Sequence, residues 1–335
     1  MARIGIVGAG SWGTALSHVL SDNGHELAVW SPDVNEIEML STKHMQTDKL
    51  PGVELDPTIL YSTDISKVVP DKEVIVVAVP SPFVRSTAER MKPYVNDQQI
   101  IVTVAKGIED ETYKTMSQII EDVLPANATA ALSGPSHAEE VGRRMPTTVV
   151  AAAASKELAE YVQSLFMNDY FRVYTSPDVL GVELGGALKN VIALAAGISD
   201  GLGFGDNGKA ALMTRGIHEI SNMALSLGAK DVTLSGLSGI GDLIVTCTSV
   251  HSRNRKAGYL MGQGMSMKDA MEEVHQVVEG VYAAKAAYHL SRRCGVEMPI
   301  VEQINQVLFE DKDPRTAVGE LMHRDRKAED AGLTW

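Results

Sequence analysis

The sequence is poor in cysteine. Only Cys247 and Cys294 occur among its 335 residues, and they form no Cys-x-x-Cys pair. This excludes a disulfide framework and a cysteine-based metal site, and it is typical of the reducing cytosol, so we expect a cytoplasmic protein. The nine histidines show no His-x-x-x-His or His-Glu-x-x-His spacing, and we therefore predict no metal site.

Positive charge and long apolar runs are also scarce. Thirty Lys and Arg residues stand against 43 Asp and Glu residues, which gives a formal net charge of -13. Such a chain lacks the basic surface expected for nucleic acids or anionic membranes, so we predict neither partner. No run reaches about 18 uncharged apolar residues, and we expect no membrane insertion. The strand pattern at Arg3–Val7 leaves no room for a signal peptide.

The composition that remains is that of a globular protein with two domains. Hydrophobic residues make up 44% of the chain, and 335 residues exceed the size of one ordinary domain. In the first half, short apolar runs alternate with helical patterns. Several runs are unbroken Val/Ile segments, typical of parallel strands buried on both faces. The predicted strands are Arg3–Val7, Glu26–Trp30, Val74–Val79, Ile100–Ala105, Ala130–Ser133, Thr147–Ala152 and Phe171–Tyr174.

The order of these segments predicts a fold of the α/β class. Strands separated by helices form βαβ units, so we expect a Rossmann-type, doubly wound sheet in an N-terminal domain of residues 1–176. The apolar runs within Ala130–Tyr174 fit this sheet or a smaller antiparallel addition to it. Helical periodicity dominates afterwards, and residues 177–335 are predicted to form a mostly helical second domain.

A Gly-x-Gly-x-x-Gly motif directly follows the first predicted strand and opens an apolar helix. In this position Gly8 permits the tight turn, Gly10 lets the backbone approach a pyrophosphate, and Gly13 allows close packing of helix on strand. The helix N-terminus offers free N–H groups to phosphates. The motif therefore predicts a bound dinucleotide. A second match, at residues 203–208, follows a helical stretch and is interpreted as a turn between helices.

The motif alone does not distinguish NAD from NADP. An NAD site usually has an acidic residue at the end of the second strand, where it binds the ribose 2′-hydroxyl. Here that position falls at Ser31, the first acid is Asp33, after Pro32, and no basic residue follows until Lys43. We therefore predict that NADPH is accepted at least as well as NADH, with Arg253 as a candidate partner of the 2′-phosphate.

Three further segments carry polar groups in unusual surroundings. Lys106 ends a buried strand, and Ser136 follows another, at the edge where doubly wound sheets bind ligands. Lys189 stands among Gly, Ala, Leu and Ile, where a lysine costs desolvation free energy unless it meets an anion or transfers a proton. From the residues alone, a lysine that reaches solvent is an equally good interpretation. The segment Ser252–Asn254 suits a phosphate monoester, although such segments also occur in plain surface loops.

The sequence as a whole resembles a known family. Its characteristic segments run in order over nearly the whole chain: GAGSWGTAL, AKGIE, SGPS, ELGGALKNVIA, SDGLGFGDN, GIGDLIVTCT, SRNR, QVVEG and GVEMPI. On these segments the chain resembles the NAD(P)-dependent glycerol-3-phosphate dehydrogenases of the bacterial type. The resemblance implies a Rossmann-type domain followed by a helical domain, NAD or NADP as cofactor, and a homodimer. It also implies the interconversion of dihydroxyacetone phosphate and sn-glycerol 3-phosphate, a precursor of glycerophospholipids.

The resemblance further assigns roles to individual residues. Lys189 matches the general acid/base that protonates the ketone oxygen as hydride arrives. The residues that match substrate contacts are Lys106, Gly134, Ser136, Lys189, Asp242, Ser252, Arg253 and Asn254. Those that match cofactor contacts are Gly8, Gly10, Ser11, Trp12, Gly13, Lys106, Ala138, Arg253, Val277 and Glu279. Trp12 stands where the family often has Tyr or Phe, and His137 is assigned no proton-transfer role.

Two other interpretations are weighed against this one. Another two-domain dehydrogenase, acting on a 2- or 3-hydroxy acid, would also use a lysine from a helical domain. A dinucleotide-sensing protein would keep the fold without the chemistry, but Lys106 and Lys189 both stand in their motifs and favour an enzyme. The chemistry itself is consistent with the residues, because an ammonium group near a carbonyl oxygen stabilises negative charge and can donate a proton.

Overall fold

The structure, a computed structural model, describes residues 1–326, 328 and 329; the other residues of the predicted second domain lie outside this part of the chain. Within the described residues, eight strands form one sheet. In chain order they are β1 (Arg3–Val7), β2 (Glu26–Trp30), β3 (Leu60–Ser62), β4 (Val74–Val77), β5 (Ile100–Thr103), β6 (Thr129–Ser133), β7 (Thr147–Ala153) and β8 (Phe171–Ser176). Their order across the sheet is β3-β2-β1-β4-β5-β6-β7-β8.

The strands from β3 to β6 form the parallel part of this sheet. All their neighbouring pairs are parallel, and their order is that of a doubly wound Rossmann fold. The register pairs Val7 of β1 with Trp30 of β2 and with Val77 of β4, so these three strands end side by side. Strand β7 pairs antiparallel with β6, and β8 runs parallel to β7. The runs within Ala130–Tyr174 therefore extend the same sheet: β6 keeps the parallel direction, whereas β7 and β8 run in the opposite direction.

The sequence-based strands differ from the structure at several of their ends and in one strand that was missed. The strands predicted at Ala130–Ser133, Thr147–Ala152 and Phe171–Tyr174 are too short, because β6 begins at Thr129, β7 continues to Ala153 and β8 continues to Ser176. The predicted strands Val74–Val79 and Ile100–Ala105 are two residues too long, because the chain leaves the sheet after Val77 and Thr103 to form loops at its carboxyl edge. The short strand Leu60–Ser62 has no apolar run to reveal it. It lies at the edge of the sheet and pairs only with β2, so its side chains stay partly or fully exposed.

Helices cover both faces of the sheet and then form a second unit. In chain order the helices are α1 (Ser11–Asp22), α2 (Val34–Lys43), α3 (Val84–Met91), α4 (Met116–Val123), α5 (Ala138–Gly142), α6 (Lys156–Phe166), α7 (Val179–Gly201), α8 (Gly205–Ser226), α9 (Asp231–Leu234), α10 (Asp242–Thr248), α11 (Arg253–Gly262), α12 (Met267–Val274), α13 (Glu279–Cys294), α14 (Pro299–Phe309) and α15 (Pro314–Met322). Short 3-10 helices occupy Ile65–Lys67, Ser81–Phe83 and Lys92–Tyr94, and a π-helical turn occupies Leu237–Gly241. The predicted fold class, a Rossmann-type sheet followed by a mostly helical region, is confirmed.

Helix α7 is the centre of the helical region. It has 23 residues, and every residue from Gly181 to Ser199 is buried. By length and hydropathy alone it could cross a membrane, but 89% of its most apolar 18-residue window is buried inside the protein. Helices α8, α10, α11 and α13 pack around it. A helix that is apolar on all sides is the expected core element of such a bundle.

Glycines let α11 approach α7 at backbone distance. A Cβ on Gly258 would lie 2.1 Å from the carbonyl oxygen of Leu194, and a Cβ on Gly197 would lie 2.1 Å from that of Arg255. No larger residue fits either position without moving a helix. The close crossing carries the first residues of α11 towards the middle of α7.

The second Gly-x-Gly-x-x-Gly match is a turn between helices, as predicted. Gly203 has φ +80° and Gly205 has φ +73°, both in the left-handed region that favours glycine. The turn joins α7 to α8.

Candidate active site

The first glycine-rich loop joins β1 to α1 at the carboxyl edge of the sheet. Gly8 has φ +121°, and its N–H donates to the carbonyl oxygen of Trp30 at 2.9 Å. A Cβ on Gly13 would lie 1.9 Å from the carbonyl oxygen of Gly8, so only glycine lets α1 start so close to the loop. A Cβ on Gly10 would meet nothing within 4 Å, so its backbone borders open space. This loop fits a pyrophosphate group at the N-terminus of α1.

The loop opens onto a cleft of about 700 Å³ between the sheet and the helical region. Most of the predicted site residues line this cleft: Gly8, Gly10, Ser11, Trp12, Lys106, Ser136, Ala138, Lys189, Ser252, Arg253, Asn254, Val277 and Glu279. Gly13, Gly134 and Asp242 lie behind its wall and contact residues that line it. The fold thus brings residues from both predicted domains to one cavity.

Two lysines from opposite sides of the cleft meet at one carboxylate. Nζ of Lys189, on α7, lies 2.5 Å from Oδ1 of Asp242, and Nζ of Lys106, in the loop after β5, lies 2.7 Å from Oδ2. Lys106 also donates to the carbonyl oxygen of Gly134 at 2.8 Å and to Oγ of Ser136 at 3.4 Å. Two positive charges around one negative charge leave this part of the cleft positive, which suits an anionic ligand.

The surroundings shift the protonation of these groups. Burial lowers the pKa of Lys189 to about 8, although the carboxylate of Asp242 acts in the opposite direction. Burial alone would raise the pKa of Asp242, but the ammonium groups of Lys106 and Lys189 outweigh it, so this pKa lies below its usual range. Asp242 therefore stays ionised at neutral pH, while Lys189 is charged but close to losing its proton. Such a group can donate and accept a proton near neutral pH.

Thr246 is a site residue that the sequence analysis missed. Its hydroxyl group donates to the carbonyl oxygen of Asp242 at 2.6 Å, and its oxygen accepts from Nζ of Lys189 at 2.6 Å. Thr246 follows Asp242 by four residues on α10, so both side chains lie on one helix face. That spacing was the available signal. The two acceptors together fix the direction of the Lys189 ammonium group.

The predicted phosphate segment lies at the N-terminus of α11. Oγ of Ser252 caps this helix by accepting from the N–H of Arg255 at 3.2 Å. The guanidinium group of Arg253 lines the cleft and donates to Oε1 of Gln276 at 3.2 Å. A helix N-terminus with an arginine and a hydroxyl group beside it is suited to a phosphate.

Asn254 links three parts of the site. Its side-chain amide donates to Oδ1 of Asn190 at 3.0 Å, and its Oδ1 accepts from the N–H of Gly280 at 2.8 Å. Asn190 follows Lys189 on α7, and Gly280 lies in the first turn of α13. The amide of Asn254 therefore holds the phosphate segment in a fixed position relative to the buried lysine.

The residues predicted to contact the cofactor from the helical side stand near the start of α13. Glu279 begins this helix and accepts hydrogen bonds from the backbone N–H of Ser81, at 3.0 Å, and from the Ser81 hydroxyl group. Val277 lines the cleft two residues earlier, and Ala138 lines it from the first turn of α5. Glu279 thus also ties the helical region to the loop after β4.

The sequence analysis missed an acidic residue that lies at the end of β2. Glu36, on α2, accepts from the hydroxyl group of Ser31 at 2.5 Å, and its other oxygen accepts from Nζ of Lys49 at 2.6 Å. Asp33 lines the cleft, but its Oδ1 caps α2 by accepting from the N–H groups of Asn35 and Glu36. Both carboxylates therefore have partners within the protein.

Two basic side chains flank this end of the cleft. Lys49 lines it beside Glu36. Arg90, on α3, also lines it, with its guanidinium carbon 5.2 Å from the ring centre of Trp30, the last residue of β2. Both are remote from Trp30 along the chain, so only folding brings them to this position.

His137 completes the wall of the cleft. Burial, with smaller contributions from the Lys189 and Lys106 ammonium groups, lowers the pKa of His137 to about 4, so its ring is neutral near pH 7. Its ring centre lies 6.0 Å from that of His251. Among the described residues, no group of three or more His, Cys, Asp or Glu side chains is arranged to hold a metal ion.

A glycine-rich phosphate loop facing a buried lysine with a lowered pKa is typical of dehydrogenases that use a nicotinamide dinucleotide. The family model of the NAD-dependent glycerol-3-phosphate dehydrogenase N-terminus matches residues 3–159, and that of the C-terminus matches residues 178–319. The chain belongs to the NAD(P)-dependent glycerol-3-phosphate dehydrogenase family. It is an enzyme of this type and depends on NAD or NADP, so the hydroxy-acid dehydrogenase and the non-catalytic sensor are set aside.

Individual relatives agree with this assignment. A glycerol-3-phosphate dehydrogenase (NAD(P)+) of Agathobacter rectalis is 61% identical over 335 residues, which is 100% of both chains. One of Bacillus subtilis is 51% identical over 332 residues, covering 98% of this chain and 96% of the other. A crystal structure of glycerol-3-phosphate dehydrogenase from Coxiella burnetii superposes with a TM-score of 0.94 at 35% identity, covering 96% of this chain and 99% of that one.

Proposed function

We propose that this enzyme interconverts dihydroxyacetone phosphate and sn-glycerol 3-phosphate with Lys189 as its general acid and base. The observation that carries the proposal is the environment of this lysine. It is 5% exposed, lines the cleft, and is held by Asp242 and Thr246. A buried ammonium group costs desolvation free energy, and a proton-transfer role explains why the chain keeps one here.

The residues around the reacting carbonyl group have separate tasks. Bound NAD(P)H would supply the hydride that reaches the carbonyl carbon. Negative charge then develops on the carbonyl oxygen, and the Lys189 ammonium group stabilises this charge and gives its proton to that oxygen. In the oxidation direction, the neutral amine of Lys189 takes the proton from the alcohol. Lys106 adds a second positive charge on the sheet side, between cofactor and substrate, with Ser136 beside it.

The phosphate group of the substrate binds at the other end of the site. Ser252, Arg253 and Asn254 supply a helix N-terminus and charged and neutral donors for a dianion. The resemblance implies direct substrate contacts for Gly134 and Asp242 as well. Because Asp242 is 1% exposed and both residues bind Lys106, we propose that they act on the substrate through the lysines.

The residues that would hold the cofactor lie along the carboxyl edge of the sheet. The loop of Gly8, Gly10, Ser11, Trp12 and Gly13 would hold its pyrophosphate, and Lys106, Ala138, Arg253, Val277 and Glu279 would contact it further along the cleft. NADPH is accepted at least as well as NADH. The 2′-phosphate is now assigned to Lys49 and Arg90 rather than Arg253, because both flank the end of β2, where the adenosine ribose binds in Rossmann folds.

The cellular setting proposed for the enzyme follows from its family. Its product supplies the backbone of glycerophospholipids, and the acidic, cysteine-poor chain acts in the cytoplasm as a homodimer. We also propose that residues 1–176 and 177–335 form its two domains. Equilibrium sedimentation of the purified enzyme tests the dimer.

The proposed reaction is tested by absorbance at 340 nm with NADH or NADPH and three carbonyl substrates: dihydroxyacetone phosphate, dihydroxyacetone and a 2-keto acid. Lys189→Met should lower kcat for dihydroxyacetone phosphate by about 10²–10⁴-fold, the usual effect of a positioned acid/base group, while the Kd of the cofactor stays unchanged. Lys209→Met is the matched control, because Lys209 pairs with Asp200 instead. A kcat near the wild-type value in Lys189→Met would remove this lysine from the mechanism.

A further inference from the structure

A buried acid on α7 connects the helical region with the sheet part of the protein. Glu183 precedes Lys189 by six residues and is 6% exposed. Its carboxylate accepts from Oγ1 of Thr115 at 2.7 Å, from the N–H of Ser117 at 2.8 Å and from Oγ of Ser117 at 2.5 Å. Thr115 is the N-cap of α4. Glu183 therefore binds the N-terminus of a helix that belongs to the sheet part of the protein, where the helix dipole favours a negative charge.

The start of α4 is also the end of the segment that carries Lys106. This segment leaves β5 after Thr103 and closes on itself, because Ile108 forms an antiparallel bridge with Thr115. The N–H of Glu109 donates to the carbonyl oxygen of Lys114 at 3.0 Å in the same closure. Holding Thr115 consequently holds the whole segment, with Lys106 two residues before the bridge.

The same face of α7 touches Lys106 directly. Gly186 follows Glu183 by three residues, so both lie on one side of the helix. A Cβ on Gly186 would lie 3.5 Å from Cγ and 3.6 Å from Cδ of Lys106, and 2.7 Å from Oγ of Ser133. The aliphatic stem of Lys106 therefore passes close over α7 at a point where no side chain separates them.

The cost of burying Glu183 argues for a specific task. The three hydrogen bonds come from neutral donors, and burial raises the pKa of its carboxyl group although those donors oppose the rise. An apolar side chain would fill the space without this desolvation cost. Unlike apolar contacts, hydrogen bonds depend on direction. Three donors that converge on one carboxylate therefore fix both the rotation of α7 and its position along α4.

We propose that Glu183 is a positioning residue that sets Lys106 against Lys189 across the cleft. Glu183 holds Thr115, at the end of the segment that carries Lys106. Asp242 binds the ammonium groups of both lysines, so the backbone of the segment and the side chain of Lys106 are each held in place. This inference deepens the proposed function and rests on the roles given there to the two lysines.

A matched pair of buried carboxylates provides the test. Glu219, on α8, also caps a helix, with its carboxylate accepting from the N–H groups of Ile300 and Val301 at the start of α14, but it lies within the helical region and away from the cleft. We compare Glu183→Leu, Glu183→Gln and Glu219→Leu, measuring Tm, kcat and KM for dihydroxyacetone phosphate, and the Kd of NADPH by nicotinamide fluorescence. All assays run well below the lowest Tm.

The expected result separates positioning from stability. Both leucine variants should lose thermal stability, but only Glu183→Leu should lose kcat, by about 10–100-fold, because misplacement of catalytic groups by about 1 Å has effects of this size. Its Kd for NADPH should stay close to wild type. Glu183→Gln keeps an acceptor oxygen of the same shape and should restore most of kcat.

Other outcomes overturn the inference. Equal losses of kcat in Glu183→Leu and Glu219→Leu would show a general effect of destabilisation, and a wild-type kcat in Glu183→Leu would show that no positioning is needed. If Glu183→Leu fails to fold, the double variant Thr115→Ala/Ser117→Ala removes both hydroxyl donors while keeping the carboxylate, and an unchanged kcat there overturns the inference. If the wild-type enzyme did not reduce dihydroxyacetone phosphate, the proposed function would fail instead.

Discussion

Nζ of Lys189 lies 2.5 Å from Oδ1 of Asp242, across the contact between α7 and α10. The pair is buried, and it combines two opposing influences on the lysine. Burial lowers the pKa of Lys189 to about 8, while the neighbouring carboxylate keeps it from falling further. The lysine can therefore exist in both protonation states within the range in which an enzyme of this kind is assayed.

The first prediction is opposite pH dependence in the two reaction directions. Reduction of the ketone needs the ammonium form of Lys189, which is depleted above its pKa, so kcat/KM should be level below about pH 8 and fall about tenfold per pH unit above it. Oxidation of the alcohol needs the neutral amine, so kcat/KM should rise up to about pH 8 and then level. Initial rates from pH 6 to 10 in both directions check this. An identical inflection in the residual activity of Lys189→Met would assign it to another group.

The second prediction concerns Arg253. If its guanidinium group binds the substrate phosphate, Arg253→Ala should weaken substrate binding by about 1.5–3 kcal/mol, as for a charge-assisted hydrogen bond. The loss should largely vanish with unphosphorylated dihydroxyacetone. Lys256→Ala is the control for a general loss of positive charge, because Lys256 stands on the same helix but contacts the carbonyl oxygen of Glu273. Equal losses on both substrates would mean that Arg253 serves the cofactor or the fold.

The third prediction concerns the choice of cofactor. With dihydroxyacetone phosphate saturating, kcat/KM for NADPH should equal or exceed that for NADH, because Lys49 and Arg90 flank the end of β2. Arg90→Ala should then reduce kcat/KM for NADPH by about tenfold more than that for NADH, the equivalent of one charge-assisted contact.

A clear NADH preference would contradict this assignment. A ratio above about 100-fold, roughly 2.7 kcal/mol, would show that a carboxylate at the end of β2 binds the ribose hydroxyl groups. Recovery of NADPH use in Asp33→Ser would then identify Asp33 as that group and leave Glu36 with its partners Ser31 and Lys49.

The fourth prediction tests the close contact between α7 and α11. Gly258→Ala introduces a Cβ that would lie 2.1 Å from the carbonyl oxygen of Leu194, so a helix must shift. We expect a loss of about 1–3 kcal/mol of unfolding free energy, the usual cost of overpacking. Gly319→Ala is the control, for which we expect an increase in unfolding free energy. Its Cβ meets nothing within 4 Å inside α15, and alanine should stabilise that helix by about 0.5–1 kcal/mol. Urea unfolding of both variants measures the difference, and a stable Gly258→Ala would mean that the helices can separate at little cost.

Much of the fold could be predicted because its signals are local. The unbroken Val/Ile runs of β4 and β5 stand out because both faces of those strands are buried, and the glycines after β1 stand out because of their position between strand and helix. The antiparallel direction of β7 could not be predicted. Its apolar run would serve a strand of either direction, and only the folded sheet shows that it pairs antiparallel with β6.

The candidate site divides in the same way. Lys189 could be identified as a candidate because its neighbours along the chain are small and apolar. Lys106 could be identified because it ends a predicted buried strand. Lys49 and Arg90 gave no such signal, since lysine and arginine at those positions look like ordinary loop and helix residues, and Thr246 is marked only by its spacing of four residues from Asp242. Their proximity to the cleft is a property of the assembled molecule.

The sequence by itself determined the class of fold and the phosphate loop, and it singled out Lys106 and Lys189 as candidate site residues. These features could be predicted because turn chemistry, strand burial and desolvation depend on residues that are adjacent along the chain. Only the tertiary structure decided that Lys106 and Lys189 share the carboxylate of Asp242, and that Glu36 and Lys49 pair beside Ser31. The first relation joins residues far apart along the chain, and its distances are fixed by the packing of α7 against the sheet and the other helices. The second joins Ser31, α2 and the segment after α2, over 5 and 13 positions of the chain. No local pattern specifies either arrangement.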